Sequence, residues 1–184
     1  VIFSKEKVFS LYENRIMIKY TLEDAHSATT LRFRPFLAFR SVKSLTQANG
    51  NVNQSYTEVP NGIKTCMYHG YPELYMQFNK KVKFVYEPYW YNGIEYPKEQ
   101  ERGYPYKEDL YVPGYFEIPI KKGESIIFSA GDSPVATTRL KSLYENEVNA
   151  RTPRTSFFNC LKNSAQQFYF RPKEDDAYLL AGYP

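Results

Sequence analysis

The chain of 184 residues is 42% hydrophobic and 24% charged with a net charge of +4, which excludes a disordered polymer and provides for one sizeable domain with a real core. No apolar run approaches the ~18 residues of a membrane span, so no membrane partner is expected. Tyr and Phe, with 18 and 13 copies, lean the composition toward strands.

Lys7 to Leu22 predicts two strands around a turn at Glu13-Asn14. Ile16, Ile18 and Tyr20 alternate with Met17, Lys19 and Thr21, the period-two pattern of a half-buried strand. Leu31 to Val42 alternates again, with Leu31 and Phe33 on one face and Arg32 and Arg34 on the other. Pro35 breaks that run at an edge or bulge. Residues 47–55 are polar and turn-like, and Pro60-Asn61-Gly62 marks a tight turn between strands at 56–59 and 63–68. Leu74–Phe78 and Val82–Tyr86 flank Asn79-Lys80-Lys81 and read as a hairpin.

The segment 88–109 is too rich in Pro, Gly and charge for a regular element and reads as a long ordered loop. Tyr115–Ile120 and Ser125–Ser129 then flank Lys121-Lys122-Gly123-Glu124 as a last hairpin. After Gly131 the period changes to that of helices. Asp132 or Ser133 can cap a first helix with Pro134 in its opening turn, and Ala136, Leu140, Leu143 and Tyr144 form its apolar face. Thr152 and Pro153 announce a second, with Phe157, Phe158, Leu161, Ala165 and Phe168 as the matching stripe. The chain thus reads as mainly β through about residue 130, followed by two C-terminal helices.

Between Phe84 and Phe116 lie 11 of the 32 aromatic residues, interleaved with Glu95, Glu99, Glu101, Arg102, Glu108 and Asp109. Flat rings beside carboxylates and an Arg suit a sugar, whose C–H faces stack and whose hydroxyls hydrogen-bond. The lone Trp90 is either a core anchor or a sugar platform with Tyr89 or Tyr91. The five carboxylates are candidates for a hydrolytic pair, or else a solvated loop with Arg102 bridging Glu99 or Asp109. Residues 1–43 carry eight Lys/Arg against four Asp/Glu, apart from the aromatic stretch, so nucleic acid is not an expected partner. Phosphate loops, zinc-protease helices and nucleophile elbows are absent, and His26 and His69 are isolated; no metal, cofactor or catalytic residue is assigned. Cys66 and Cys160 lack a partner motif and fit a reducing, cytoplasmic setting.

Four pieces of the chain carry a family likeness. They are Phe33-Arg34-Pro35-Phe36-Leu37-Ala38-Phe39-Arg40, Pro88-Tyr89-Trp90-Tyr91, Glu95-Tyr96 with Glu99, Arg102 and Gly103, and the run from Glu108 to Phe116. In order and spacing they resemble the N-terminal domain of glycogen debranching enzymes of the bacterial and archaeal amylo-α-1,6-glucosidase type. The resemblance covers about residues 30–130. It departs from the family pattern at Lys43, where a His is expected, and in the shorter front end.

The resemblance implies an antiparallel β-sandwich over residues 1–131, a helical segment over 132–172 and a linker over 173–184. That linker leads toward an absent catalytic (α/α) barrel through Ala181-Gly182-Tyr183-Pro184. It implies a non-catalytic role: supporting the α-1,6-glucosidase barrel and helping present glycogen or branched dextrin to it. Tyr89, Trp90, Tyr91, Glu95, Glu99, Arg102 and Asp109 are then the residues for α-glucan or for the domain interface. A stand-alone carbohydrate-binding module and a purely structural scaffold are the alternatives.

Overall fold

The computed structural model describes residues 1–173 and 176–179. Among these residues eleven strands and three α-helices run in the order β1 (Ile2–Phe9), β2 (Arg15–Asp24), β3 (Thr29–Phe33), β4 (Tyr56–Val59), β5 (Gly62–Thr65), β6 (Leu74–Phe78), β7 (Lys83–Glu95), α1 (Pro97–Glu101), β8 (Lys107–Ile120), β9 (Ser125–Gly131), α2 (Leu140–Asn149), α3 (Phe157–Gln166), β10 (Tyr169–Lys173) and β11 (Asp176–Leu179). The chain is mostly β, as its aromatic and β-branched content requires. A six-stranded sheet in the order β1-β2-β9-β6-β5-β4 faces a three-stranded sheet in the order β3-β8-β7. Every pairing is antiparallel, and the two sheets make a β-sandwich. β10 and β11 form a separate hairpin. Of the linker expected over 173–184, Lys173 and Asp176–Leu179 lie in this hairpin, and Ala181–Pro184 lie outside the described residues.

Strand periodicity decides which side chains meet between the sheets. Leu22, Ile63, Met76, Phe78 and Ile126 of the large sheet pack on Tyr111, Phe116, Ile118 and Ile120 of the small one, all fully buried. Phe78 sits at the centre, its ring 5.1 Å from those of Phe116 and Phe128 and 5.4 Å from that of Phe33. The outer face of the large sheet is covered in turn by α2, through Val8, Met17, Ile127, Leu140 and Tyr144. The result is three layers: small sheet, large sheet, helix.

One member of this core is imperfectly matched. The Tyr111 hydroxyl is buried without a hydrogen-bond partner among the described residues. Burial pushes it up to about 12. Tyr111→Phe removes a desolvated donor without removing the ring, so it is expected to be neutral or stabilising by up to about 1 kcal/mol in urea unfolding.

Several expectations need correction. Neither Asn79-Lys80-Lys81 nor Lys121-Lys122-Gly123-Glu124 joins paired strands. β6 and β9 belong to the large sheet, β7 and β8 to the small one, and both connections cross the sandwich. Asn79 serves this crossing: its Oδ1 accepts from Ile127 N at 2.9 Å and its N–H donates to Ile127 O at 3.1 Å, tying the exit of β6 to β9.

Residues 88–109 are also not a loop. β7 continues to Glu95 and β8 starts at Lys107, with one short helical turn between them. Pro88 and Gly93 are accommodated where the β7–β8 register shifts, between Tyr86 and Tyr89 and between Tyr91 and Ile94. Gly114, opposite Tyr86, has φ +148°, and a Cβ there would lie 2.1 Å from the Val85 carbonyl oxygen. Only glycine fits that approach.

Both helices start later than their capping signals. Asp132 Oδ2 accepts from Asn14 Nδ2 at 2.9 Å and Ser133 Oγ from Arg15 Nη2 at 3.1 Å, so both side chains fasten the connection to β2 instead of capping. A 3-10 turn at Thr137–Arg139 then leads into α2. Thr152 is held through its backbone by Asn163 and Gln166, and Ser156 caps α3 by accepting from Asn159 N at 3.2 Å. The expected apolar stripe of α3 is not packed on α2: Phe157, Phe158 and Leu161 are 80%, 72% and 54% exposed.

Candidate functional site

β7 and β8 alternate about their bulges, so Tyr89 and Tyr91 leave the sheet on its outer side while Trp90 points inward. Trp90 packs against the core and meets Tyr111 edge-on at 5.5 Å between centroids. The platform that pairs Trp90 with Tyr89 or Tyr91 is therefore not one surface.

The outer partners come from elsewhere. Arg32 and Arg34, on the polar face of β3 and just beyond it, lie over Tyr115 at 4.1 and 4.9 Å from its ring. Arg34 also lies 5.6 Å over the Tyr89 ring and donates to its hydroxyl. Tyr89 leads to Tyr91 at 5.0 Å, and Tyr91 to Phe36 at 4.6 Å. Glu117 and Glu87 pair with the two arginines, at 2.8 and 3.3 Å. A continuous row of guanidinium and phenol groups thus runs across the outer face of the small sheet. At its far end Phe36 and Tyr91 are 45% and 38% exposed. The basic residues of the first third, separate from the tyrosines in sequence, meet them in space.

The carboxylates of the aromatic segment are each engaged. Glu95 pairs with Lys107 at 2.9 Å, Glu99 with Arg102 at 3.1 Å and Glu101 with Lys98 at 2.9 Å. Of the two partners expected for Arg102, Glu99 is the one it meets. Asp109 receives the N–H of Ala48 and of Gly93, both at 2.8 Å, and so pins the 47–55 connection and the β7 bulge to β8.

Glu108 is the most constrained of the five and is fully buried. Arg40 donates to both its oxygens, Tyr96 Oη donates to Oε2 at 2.6 Å, and the Thr46 N–H donates to Oε1 at 3.0 Å. Burial by itself would raise the acid. The bonds from Arg40, Tyr96 and Thr46, with the Arg40 charge, overcome it and hold the carboxyl at about 2. The group joins Arg40, the 41–46 connection, the start of α1 and β8 into one unit. This is a structural ion pair, with every lone pair occupied. Among the described residues no group of three or more His, Cys, Asp or Glu could hold a metal ion.

The family described as glycogen debranching enzyme N terminal matches residues 1–127. The chain belongs to that family. The match begins at the first residue, takes in both sheets as far as the middle of β9, and stops short of α2 and α3. No curated protein and no solved structure matches the chain.

Within this debranching-enzyme N-terminal domain, the seven residues singled out from sequence fall into three groups. Tyr89 and Tyr91 belong to the outer row. Trp90 and Asp109 hold the fold behind it. Glu95, Glu99 and Arg102 lie before, in and just after α1 in exposed ion pairs, contributing little to stability. Sequence reasoning missed Arg32, Arg34, Phe36 and Tyr115 as site residues. The signal was available for two of them, since Arg32 and Arg34 form the polar face of a strand whose other face, Leu31 and Phe33, is apolar.

Proposed function

We propose that this chain is the non-catalytic N-terminal portion of a glycogen debranching enzyme, which supports the α-1,6-glucosidase barrel and helps present branched α-glucan to it. The observation that carries this reading is the row Arg32–Tyr115–Arg34–Tyr89–Tyr91–Phe36 on the outer face of the small sheet. Aromatic faces offer the stacking surface a pyranose needs, and the adjoining guanidinium groups donate to hydroxyls. The engagement of every carboxylate near the row supports a presenting role over a hydrolytic one. The exposed apolar face of α3 supports the second half of the reading, as a surface for the barrel.

The reading is tested by titrating the domain with branched dextrin and following backbone amide shifts. Saturable shifts at Tyr89, Tyr91 and Tyr115 are expected. Tyr91→Ala is expected to weaken binding about five- to tenfold, as loss of one stacking ring does. Trp90 fluorescence should change little, because its ring faces the core. Absence of shifts on the row at millimolar dextrin excludes glucan presentation and leaves the scaffold role.

A further inference from the structure

β1 is the terminal strand of the large sheet and β3 the terminal strand of the small one, and both border one cleft; among the described residues the outer edge of β1 is unpaired as far as Phe9, whose carbonyl oxygen accepts from Arg151 Nη2. The cleft has a volume of about 570 Å³, and its walls include Phe3, Ile18, Tyr20, Leu31, Phe33 and Phe128. Alternation decides what β1 offers to this cleft. Val8 faces α2, in the cluster with Met17 and Leu140. The opposite face of β1 therefore reads Phe3, Lys5, Lys7, Phe9, of which Phe3 and Lys5 line the cleft and Lys7 and Phe9 continue the same face beyond it. All four are exposed. Among the described residues neither Lys5 nor Lys7 has a carboxylate partner; Lys5 lies 5.3 Å over the Tyr20 ring. The cations Lys5, Arg32 and Arg34 line the cleft and no acidic side chain does.

We propose that β1 is a docking edge for an extended peptide segment that adds as a further strand, its one face alternating apolar, acidic, acidic, apolar. The backbone edge supplies the hydrogen bonds, and alternate side chains enter the cleft and set the choice of partner. Acidic groups across from Lys5 and Lys7 make favourable cross-strand pairs, while the apolar ends cover Phe3 and Phe9. A second copy of β1 does not meet this description. In a two-fold antiparallel pairing, residues of the same face stand opposite one another, and the centred registers set Lys5 or Lys7 against a lysine of the copy. The same lysines that deter self-pairing thus select an acidic strand.

The test uses a synthetic peptide of alternating Phe-Thr-Glu-Thr-Glu-Thr-Phe sequence and its twin with lysines in place of the glutamates, each titrated into the domain with backbone amide shifts as the readout. Saturable shifts along β1, with the glutamate peptide binding about tenfold tighter than its twin, are expected. The double variant Lys5→Glu/Lys7→Glu, which alters only exposed side chains, should reverse that preference. Equal binding of both peptides, shifts confined to α3, or no saturable shift on β1 at millimolar peptide each overturns the proposal.

Discussion

Replacing Arg40 with methionine lowers the unfolding free energy by about 3–5 kcal/mol. The substitution keeps most of the side-chain volume and removes only the cation, so Glu108 is left fully buried with a negative charge and two remaining donors, Tyr96 and the Thr46 amide. Taking one partner from a buried ion pair is far more damaging than losing an exposed one such as Arg102–Glu99. Urea unfolding at pH 7 measures the difference; a loss below about 1 kcal/mol would mean that water reaches Glu108.

The same pair sets an acid limb. Glu108 has its carboxyl lowered from the ordinary 4.5 to about 2 in the folded chain. A depressed carboxyl contributes stability that is complete above the unfolded value and fades as pH falls through the folded one. The contribution is about 3 kcal/mol, present above pH 4.5 and lost progressively toward pH 2. Glu108→Gln has no such group, so its stability relative to the parent should improve over that window. A parent and variant with parallel pH profiles would refute the assignment.

Phe78→Ala is the second large effect, with an expected loss of about 3–5 kcal/mol and a fall in Tm of about 10 °C. Phe78 is fully buried and its ring is ringed by Phe33, Phe116 and Phe128, contributed by three different strands of both sheets. The aromatic neighbours are stiff and cannot collapse into the space, so the cavity persists. Phe78→Leu retains part of the volume and should lose clearly less. Differential scanning calorimetry orders the three proteins; equal Tm values for parent and alanine variant would place Phe78 outside the core.

How much of this was legible in the sequence depends on whether an element answers to its neighbours in the chain or to distant ones. β1 and β2 were readable because the alternation of Ile16, Ile18 and Tyr20 and the turn at Glu13-Asn14 are local, and the observed hairpin follows them. The β4–β5 hairpin about Asn61 was readable for the same reason. The crossings after β6 and β8 were not, because a turn between two strands says nothing about which sheet each joins; the Asn79–Ile127 bonds that enforce one crossing span 48 positions.

Pro88 and Gly93 made the central segment look irregular, although bulges let a strand continue through both. Asp132 and Ser133 have the chemistry of helix caps, but Asn14 and Arg15 claim their side chains, and those partners lie more than a hundred positions away. As for the site, Tyr89 and Tyr91 stood out by density. Glu108 looked like any other acidic residue, since the Arg40 that explains it lies 68 positions away.

The placement of β9 has a consequence for how the chain reaches this structure. β9 lies between β2 and β6, and Arg15 pairs with Gly131 across more than a hundred intervening residues. The large sheet therefore stays in two halves, β1-β2 and β4-β5-β6, until the segment 125–131 arrives to zip them together. Closing so long a loop before any reward is collected slows the search for the native pairing. A ribosome-bound chain ending before Ser125 holds two unjoined half-sheets, and its assembly waits for the very strand that comes last in the sandwich.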